Sequence, residues 1–161
     1  MSSPSIQPER FSNILLSELY QTRKLLDLLQ QEYNLLLKHD PNQLEQLIER
    51  KKAHIRILEQ TVAEHNLLLM EMGYPANQEG IEAYLNHQSS SNQLGELWSD
   101  LKQTLIDCQK QNEVNRGVIT LCRRQTSSTL ELIYGLSGRE KAYGPTGESY
   151  ATHQSNSLGK A

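Results

Sequence analysis

The chain has few of the residues that build membrane spans and compact aromatic cores. Its 161 residues include one Phe, one Trp and two Cys, and only 37% are hydrophobic, which is less than globular domains usually contain. No apolar run approaches the ~20 residues needed to cross a bilayer, so we expect no membrane insertion. The first residues, 1–5, lack the charged and apolar regions of a secretory signal. These absences predict a soluble, cytoplasmic protein.

The two cysteines, Cys108 and Cys122, are too far apart to form a disulfide with each other. They lie two heptads apart in one helical pattern, or roughly 21 Å along a helix at about 1.5 Å per residue. A disulfide needs Cα atoms within about 7 Å. We interpret them as small buried thiols in a reducing compartment.

The charged and reactive side chains do not form the patterns typical of a nucleic-acid surface, a metal site or an active site. The net charge is −3, with both signs mixed along the chain, which argues against a nucleic-acid partner. The five histidines form no i,i+4 pair and no Glu-x-x-His motif, so no metal site is expected. His65 falls at a core position and is interpreted as a partly buried structural histidine. With no phosphate loop and no nucleophile elbow, we expect no enzyme and no cofactor.

Leucine repeats predict an all-α protein, an antiparallel three-helix bundle or coiled coil with one extra short helix. The first helix runs from Pro8-Glu9 to about Lys38, and Asp40-Pro41 begins the second, which Gly73-Tyr74-Pro75 ends. A short helix over about 77–86 and a polar loop follow. We expect the middle of the core at six residues: Leu26, Leu29, Ile55, Leu58, Leu101 and Leu105.

The last helix is the most informative element, because its core-facing positions become less apolar along its length. Its heptad positions start with Leu94 and Trp98 and later include Asn112 and Asn115, then Thr126 and Thr129. Running to about Tyr134, this helix outlasts its partners by about a dozen residues at 1.5 Å each. The overhanging part presents Ile119, Cys122, Leu130 and Ile133. Such a face suits either a dimer contact or a groove for a partner.

The C-terminal region repeats one short pattern, which begins at Tyr134 with Gly135 and Gly138 and again at Tyr143 with Gly144 and Gly147. It is rich in Gly, Ser and Thr, so we expect a helical domain over 1–134 and a flexible tail over 135–161. A tyrosine on such a tail is either incidental or an aromatic anchor for a partner.

Together these elements resemble the FlgN family of flagellar type III export chaperones. The resemblance rests on the helical hairpin, on Asn112-Glu113-Val114-Asn115 with Trp98 in the long helix, and on the tail beginning Ala142-Tyr143-Gly144-Pro145-Thr146-Gly147. It implies a non-enzymatic, cytoplasmic chaperone that binds the C-terminal amphipathic helix of the hook–filament junction proteins FlgK and FlgL. It also implies docking at the export gate protein FlhA. The client-binding residues are then Asn112, Asn115, Ile119, Cys122, Leu130 and Ile133, and the gate-docking residues Tyr143, Gly144 and Gly147.

Several alternatives stay open on sequence alone. A generic dimeric coiled-coil scaffold or adaptor explains the heptads equally well, and a weak homodimer of the chaperone is compatible with the overhang. Asn112 and Asn115 also fit a polar specificity device inside the chain's own bundle. Tyr134 competes with Tyr143 as the tail anchor, although Tyr134 still continues the helical pattern.

Overall fold

The computed structural model describes residues 6–88 and 92–140, with side chains over 8–88 and 92–135. All secondary structure in these residues is helical, in the order α1 (Ile6–Lys38), α2 (Pro41–Glu71), α3 (Gln78–His87) and α4 (Asn92–Glu140). The expected all-α helical architecture is therefore confirmed. The chain divides into two compact units, residues 1–118 and 119–161, which are described separately below.

The first two helices form an antiparallel hairpin whose turn is built by three residues. His39 adopts a left-handed conformation with φ 54°, and Asp40 then caps α2 by accepting the backbone N–H of Gln43 at 3.1 Å. Pro41 occupies the first turn, where its missing N–H costs nothing. At the other end of α2, Gly73 has φ 83°, a conformation that side-chain-bearing residues rarely adopt.

The short helix α3 packs tightly against the loop that precedes it. Asn77 caps it by accepting the backbone N–H of Gly80 at 2.9 Å. A Cβ atom at Gly80 would lie 1.8 Å from the carbonyl oxygen of Pro75, so only glycine fits this close approach. The contact turns Ile81 and Tyr84 inward, where both are buried.

The main core of the first unit lies at the end of the bundle that α3 covers. Aromatic side chains meet there, with the rings of Phe11 and Tyr84 4.6 Å apart in an edge-to-face arrangement. Trp98 from α4 joins them, so α4 begins at the same end as α1 and runs parallel to it. The cluster contains ten buried residues: Phe11, Leu15, Leu19, Leu68, Leu69, Ile81, Tyr84, Leu94, Trp98 and Leu101.

The expected position of the core centre was therefore wrong for most of its residues. Leu29 and Leu101 are buried, but Leu26, Ile55 and Leu58 are only half-buried, and Leu105 is 37% exposed. Heptad spacing identifies the inward face of each helix but not the point where three helices come closest. The position of closest packing is set by α3, because its side chains Ile81 and Tyr84 add apolar volume at one end of the bundle only.

The last helix also continues beyond its expected end at Tyr134 and reaches Glu140. Gly135 and Gly138 each cost about 1 kcal/mol relative to alanine, yet glycine alone does not force a helix to stop. Proline does stop a helix, and the first proline C-terminal to the start of α4 is Pro145. Residues 135–140 are thus helical rather than part of a tail, and residues 141–161 lie outside the described part of the chain.

Candidate functional site

A layer of polar side chains crosses the first unit where apolar seam positions would be expected. Lys51 Nζ on α2 donates to both carboxylate oxygens of Glu32 on α1, at 2.6 and 2.8 Å. Asn115 Nδ2 on α4 donates to Glu32 Oε2 at 2.8 Å and to the carbonyl oxygen of Leu29 at 2.9 Å. Gln111 Nε2 then donates to Asn115 Oδ1 at 3.0 Å. This polar layer joins all three long helices through one buried carboxylate.

The polar layer gives the helices a unique register. Glu32 and Asn115 are almost completely buried, at 4% and 1% exposure. A buried polar group without a partner costs about 1–3 kcal/mol, so sliding α4 by one turn would strand the Asn115 amide and leave the carboxylate underbonded. Asn115 therefore lies inside the chain's own bundle. This position fits the interpretation of Asn115 as a polar residue that fixes the helix register.

A second buried polar pair lies nearer the main core. His65 Nδ1 on α2 is 2.7 Å from Glu18 Oε2 on α1, and both residues are buried. The ring of Phe11 meets the imidazole edge-on, with centroids 5.3 Å apart. His65 is thus a structural residue, as its heptad position indicates, and its partner is an acid 47 residues away in sequence.

An apolar groove, here called the central groove, opens between α2 and α4 beside the polar layer, with a volume of about 310 Å³. Leu29 of α1 and Cys108 of α4 form its buried floor. Lys51, Gln109 and Asn112 supply its polar groups. The remaining apolar lining comes from Leu25, Ile55 and Leu105. Asn112, unlike Asn115, is exposed and reaches this groove.

The thiol of Cys108 is an inert part of the groove floor. Burial raises the pKa of Cys108 to about 11, and the neighbouring Asp107 carboxylate adds to the effect. The Sγ atom lies 3.6 Å from the carbonyl oxygen of Thr22, within range of a weak S–H hydrogen bond. Both cysteines are free thiols, but only Cys108 is buried as expected, since Cys122 is half-buried.

The second unit contributes the helical segment 119–140 of α4, and its apolar side chains are accessible. Ile119 and Cys122 are half-buried, whereas Leu130 and Ile133 are 46% and 55% exposed. With heptad spacing these four residues share one side of the helix, here called the distal stripe. Thr126 and Thr129, on the same side, donate their hydroxyls to the carbonyl oxygens of Cys122 and Gln125 at 3.0 and 2.8 Å. Their polarity is therefore satisfied within the helix.

The structure thus separates the expected site residues into three sets. Asn115 is buried in the polar layer and Asn112 lines the central groove, both in the first unit. The four residues of the distal stripe belong to the second unit. Tyr143, Gly144 and Gly147 lie outside the described residues. Tyr134 is described and is 72% exposed.

The sequence indicated Asn115 as a possible polar residue inside the bundle, but the other members of the polar layer, Lys51 and Glu32, were missed, although Lys51 gave a signal. Lys51 lies in the seam of α2 between Ile48 and Ile55, and a lysine on an inward face requires a carboxylate partner. Glu32 gives no such signal, because it lies beside the seam rather than in it. Only the three-dimensional packing shows that Lys51 and Asn115 use the same carboxylate.

Comparison with known proteins identifies the family. A family model described as FlgN protein matches residues 1–151. The chain belongs to the FlgN family. No curated protein matches this FlgN chain. Among solved structures, the crystal structure of a protein from Pseudomonas aeruginosa described as a flagella synthesis protein, FlgN, matches with a TM-score of 0.61. The two are 22% identical over 82% of this chain and 98% of the other, so this likeness supports the fold.

FlgN membership places the chain among flagellar export chaperones in general, a family that is not enzymatic. Within the described residues of this FlgN chain, no group of three His, Cys, Asp or Glu side chains could hold a metal ion. None of the described helices is long and apolar enough to cross a membrane. The central groove and the distal stripe are apolar surfaces open to contact.

Proposed function

We propose that this protein is a cytoplasmic export chaperone for the hook–filament junction proteins FlgK and FlgL. It binds the C-terminal amphipathic helix of each client, keeps the client from assembling early, and delivers it to the export gate protein FlhA. Family membership supports the general role, and the observation that carries the client site is the accessible distal stripe on α4.

The physical basis of client binding is reversible burial of one apolar helix face on another. An amphipathic helix released from its filament neighbours exposes a row of aliphatic side chains that promotes assembly or aggregation. Laying that row on Ile119, Cys122, Leu130 and Ile133 removes both faces from water. Arg123 and Arg124 lie exposed in the same segment and favour a client helix with acidic residues at its flanks.

Delivery to the gate is assigned to the C-terminal segment. Tyr143 is followed by Gly144 and Gly147, residues that impose few constraints on an adjacent backbone. A tyrosine ring buries a large area while losing few rotamers, so it suits a transient anchor on FlhA. Separating the client surface from the gate anchor lets one chain hold a client and dock at the same time.

The proposal is tested by calorimetry with a peptide of the FlgK or FlgL C-terminal helix. Replacing both Ile119 and Ile133 by aspartate removes two apolar contacts of about 1.5–3 kcal/mol each, so affinity should fall at least about 100-fold. The matched control replaces Ser127 and Ser128, which are exposed in the same segment, by aspartate and adds the same charge. Equal binding by both double variants, with unchanged circular dichroism, would remove the distal stripe from the client site.

A further inference from the structure

A second groove follows a side of the α1–α2 hairpin that α4 does not line. It consists of three depressions in a row, one near the start of α1, one halfway along and one at the hairpin turn. All the residues that line them belong to α1 and α2, and we call this surface the outer groove. Its α1 side includes Lys24, Gln31 and Lys38, whose spacing of seven residues places them on one side of the helix. The bonds from α4 to Thr22 and Leu29 lie on another side.

The two ends of the outer groove carry opposite charges. At the hairpin turn it is lined by Lys38 and Arg50 and by no acidic residue. At the other end it is lined by Glu9 and Glu64, and the one cation there, Arg10, already pairs with a glutamate of α2. Within the described part of the chain, Lys38, Arg50, Glu9 and Glu64 form no ion pair. All four are exposed, so their charges can meet those of a partner.

The middle of the outer groove has one more pair of opposite charges beside an apolar centre. Lys24 and Asp27, both exposed, line the central depression together with Leu28 and Ile57. Leu28 is buried, whereas Ile57 is 47% exposed. An apolar centre with charged residues towards the edges is the arrangement found in protein–protein interfaces.

The charge pairs of α1 are centred at nearly the same point of the helix. The midpoint between Glu9 and Lys38 lies between residues 23 and 24, and the midpoint between Lys24 and Asp27 lies between residues 25 and 26. The two midpoints differ by two residues, which is about 3 Å along a helix.

The charge pair of α2 is centred at the same level of the hairpin. The midpoint between Arg50 and Glu64 is Ile57. Ile57 lines the same depression as Lys24 and Asp27, so the centre for α2 lies beside the centres for α1. Reversing the hairpin end for end about this level therefore exchanges positive and negative charges on both helices.

A two-fold axis at this level places each charge opposite its complement. In a symmetric contact, residue i of one copy meets residue j of the other, and j meets i. With the axis perpendicular to the helices, α1 packs antiparallel on α1 of a second copy and α2 on its α2. The basic end of each copy then faces the acidic end of the other, Lys24 faces Asp27, and Ile57 meets its own counterpart at the axis.

Other partners match this charge pattern less well. A nucleic acid or an anionic membrane would be attracted to the basic end of the outer groove and repelled by the acidic end. A helix of another protein would need the same charges in the reverse order. A second copy of this chain supplies that order by symmetry.

We infer that the outer groove is the surface through which two copies of this chain associate as an antiparallel dimer. Exposed ion pairs contribute little each and are screened by salt. The dimer is therefore weak, with a dissociation constant of roughly 0.1–1 mM, and the chain is a monomer at about 10 µM. No residue of α4 lines this surface, and the inference does not depend on the proposed function.

Charge reversal at the two ends provides a matched test by light scattering at low salt and about 1 mM protein. Lys38→Glu with Arg50→Glu makes both ends acidic, and Glu9→Lys with Glu64→Lys makes both ends basic. Each double variant alone should dissociate with a constant at least tenfold higher than that of the wild type. An equimolar mixture of the two should recover the dimer, because opposite ends again meet. A monomeric wild type, variants that dimerise like the wild type, or a mixture that stays monomeric would each overturn the inference.

Disulfide crosslinking at the axis gives a second, independent measurement. A cysteine forms a disulfide only where the two Cα atoms lie within about 7 Å. In a Cys122→Ser background, Ile57→Cys should form a covalent dimer under air oxidation at least fivefold faster than Leu67→Cys. Leu67 is the control because it is 56% exposed on the same helix but does not line the outer groove. Equal rates for the two variants would show that Ile57 does not lie on a two-fold axis and would overturn the inference.

Discussion

At the scale of single residues, polar side chains in the seams decide how the helices align. Lys51, His65 and Asn115 each occupy a position where leucine would bury more apolar surface, and each has a specific partner on another helix. These pairs contribute little net stability compared with apolar packing. They disfavour other registers, because every shifted arrangement leaves a buried polar group without its partner.

Asn115 and Asn112 make a pair of variants that tests this role of the polar layer. Asn115→Ala should lower the free energy of unfolding by about 1–3 kcal/mol, since it removes two hydrogen bonds to buried acceptors. Asn112→Ala, at an exposed position, should change it by less than about 0.5 kcal/mol. Urea denaturation followed by circular dichroism measures both. Equal effects would mean that the polar layer does not order the bundle.

The raised pKa of the buried Cys108 thiol predicts a loss of stability at alkaline pH. Its pKa is raised to about 11 in the folded chain, against about 8.5 in an unfolded one. The folded state thus holds this proton more tightly, so stability is highest below pH ~8.5 and falls as pH rises toward ~11. The measurement is the difference in unfolding free energy between wild type and Cys108→Ala across this range. A pH-independent difference would contradict burial of the thiol.

At the scale of helices, local sequence signals predicted where helices begin and end better than they predicted how the helices pack. Asp40-Pro41 and Gly73 act through capping and backbone conformation, which neighbouring residues determine, so both ends of α2 were predicted closely. The end of α4 was missed because Gly135 weakens a helix without stopping it. The core centre was also missed, since the depth to which Leu58 or Leu105 is buried depends on where α3 lies.

The true position of the core predicts a sharp contrast between two leucines. Leu69→Ala, at a fully buried site in the main core, should cost about 2–5 kcal/mol. Leu105→Ala should cost clearly less, because 37% of this residue stays exposed and its truncation widens an open groove rather than leaving a closed cavity. Thermal denaturation of the two variants measures this difference in stability. A larger loss for Leu105→Ala would mean that the bundle is closed at the groove.

At the scale of the whole molecule, the proposed function uses different parts of the chain for holding a client and for delivering it. The distal stripe, the proposed client surface, lies on α4, whereas the proposed gate anchor follows α4 in sequence. The sequence resemblance pointed to both tasks, but only the packing distinguishes the buried Asn115 from the accessible Asn112 and Ile133. The roles of Tyr143, Gly144 and Gly147 remain predictions.

Tyr143→Ala should separate the two tasks. We expect it to leave the melting temperature and client affinity within experimental error, yet to weaken FlhA binding by the chaperone–client complex and slow secretion of the junction proteins. Tyr134→Ala is the control, because Tyr134 lies within α4 and beside the distal stripe residue Ile133. Normal gate binding by Tyr143→Ala would show that the tail does not act as an anchor.

The most direct test of the central claim is the mass of the protein in solution, measured by light scattering with and without a full-length junction protein. A client-binding chaperone predicts a monomer of 18.4 kDa that shifts to a one-to-one complex when FlgK or FlgL is added. A stable dimer whose mass does not change on adding either protein would contradict the proposed function and indicate a coiled-coil scaffold instead.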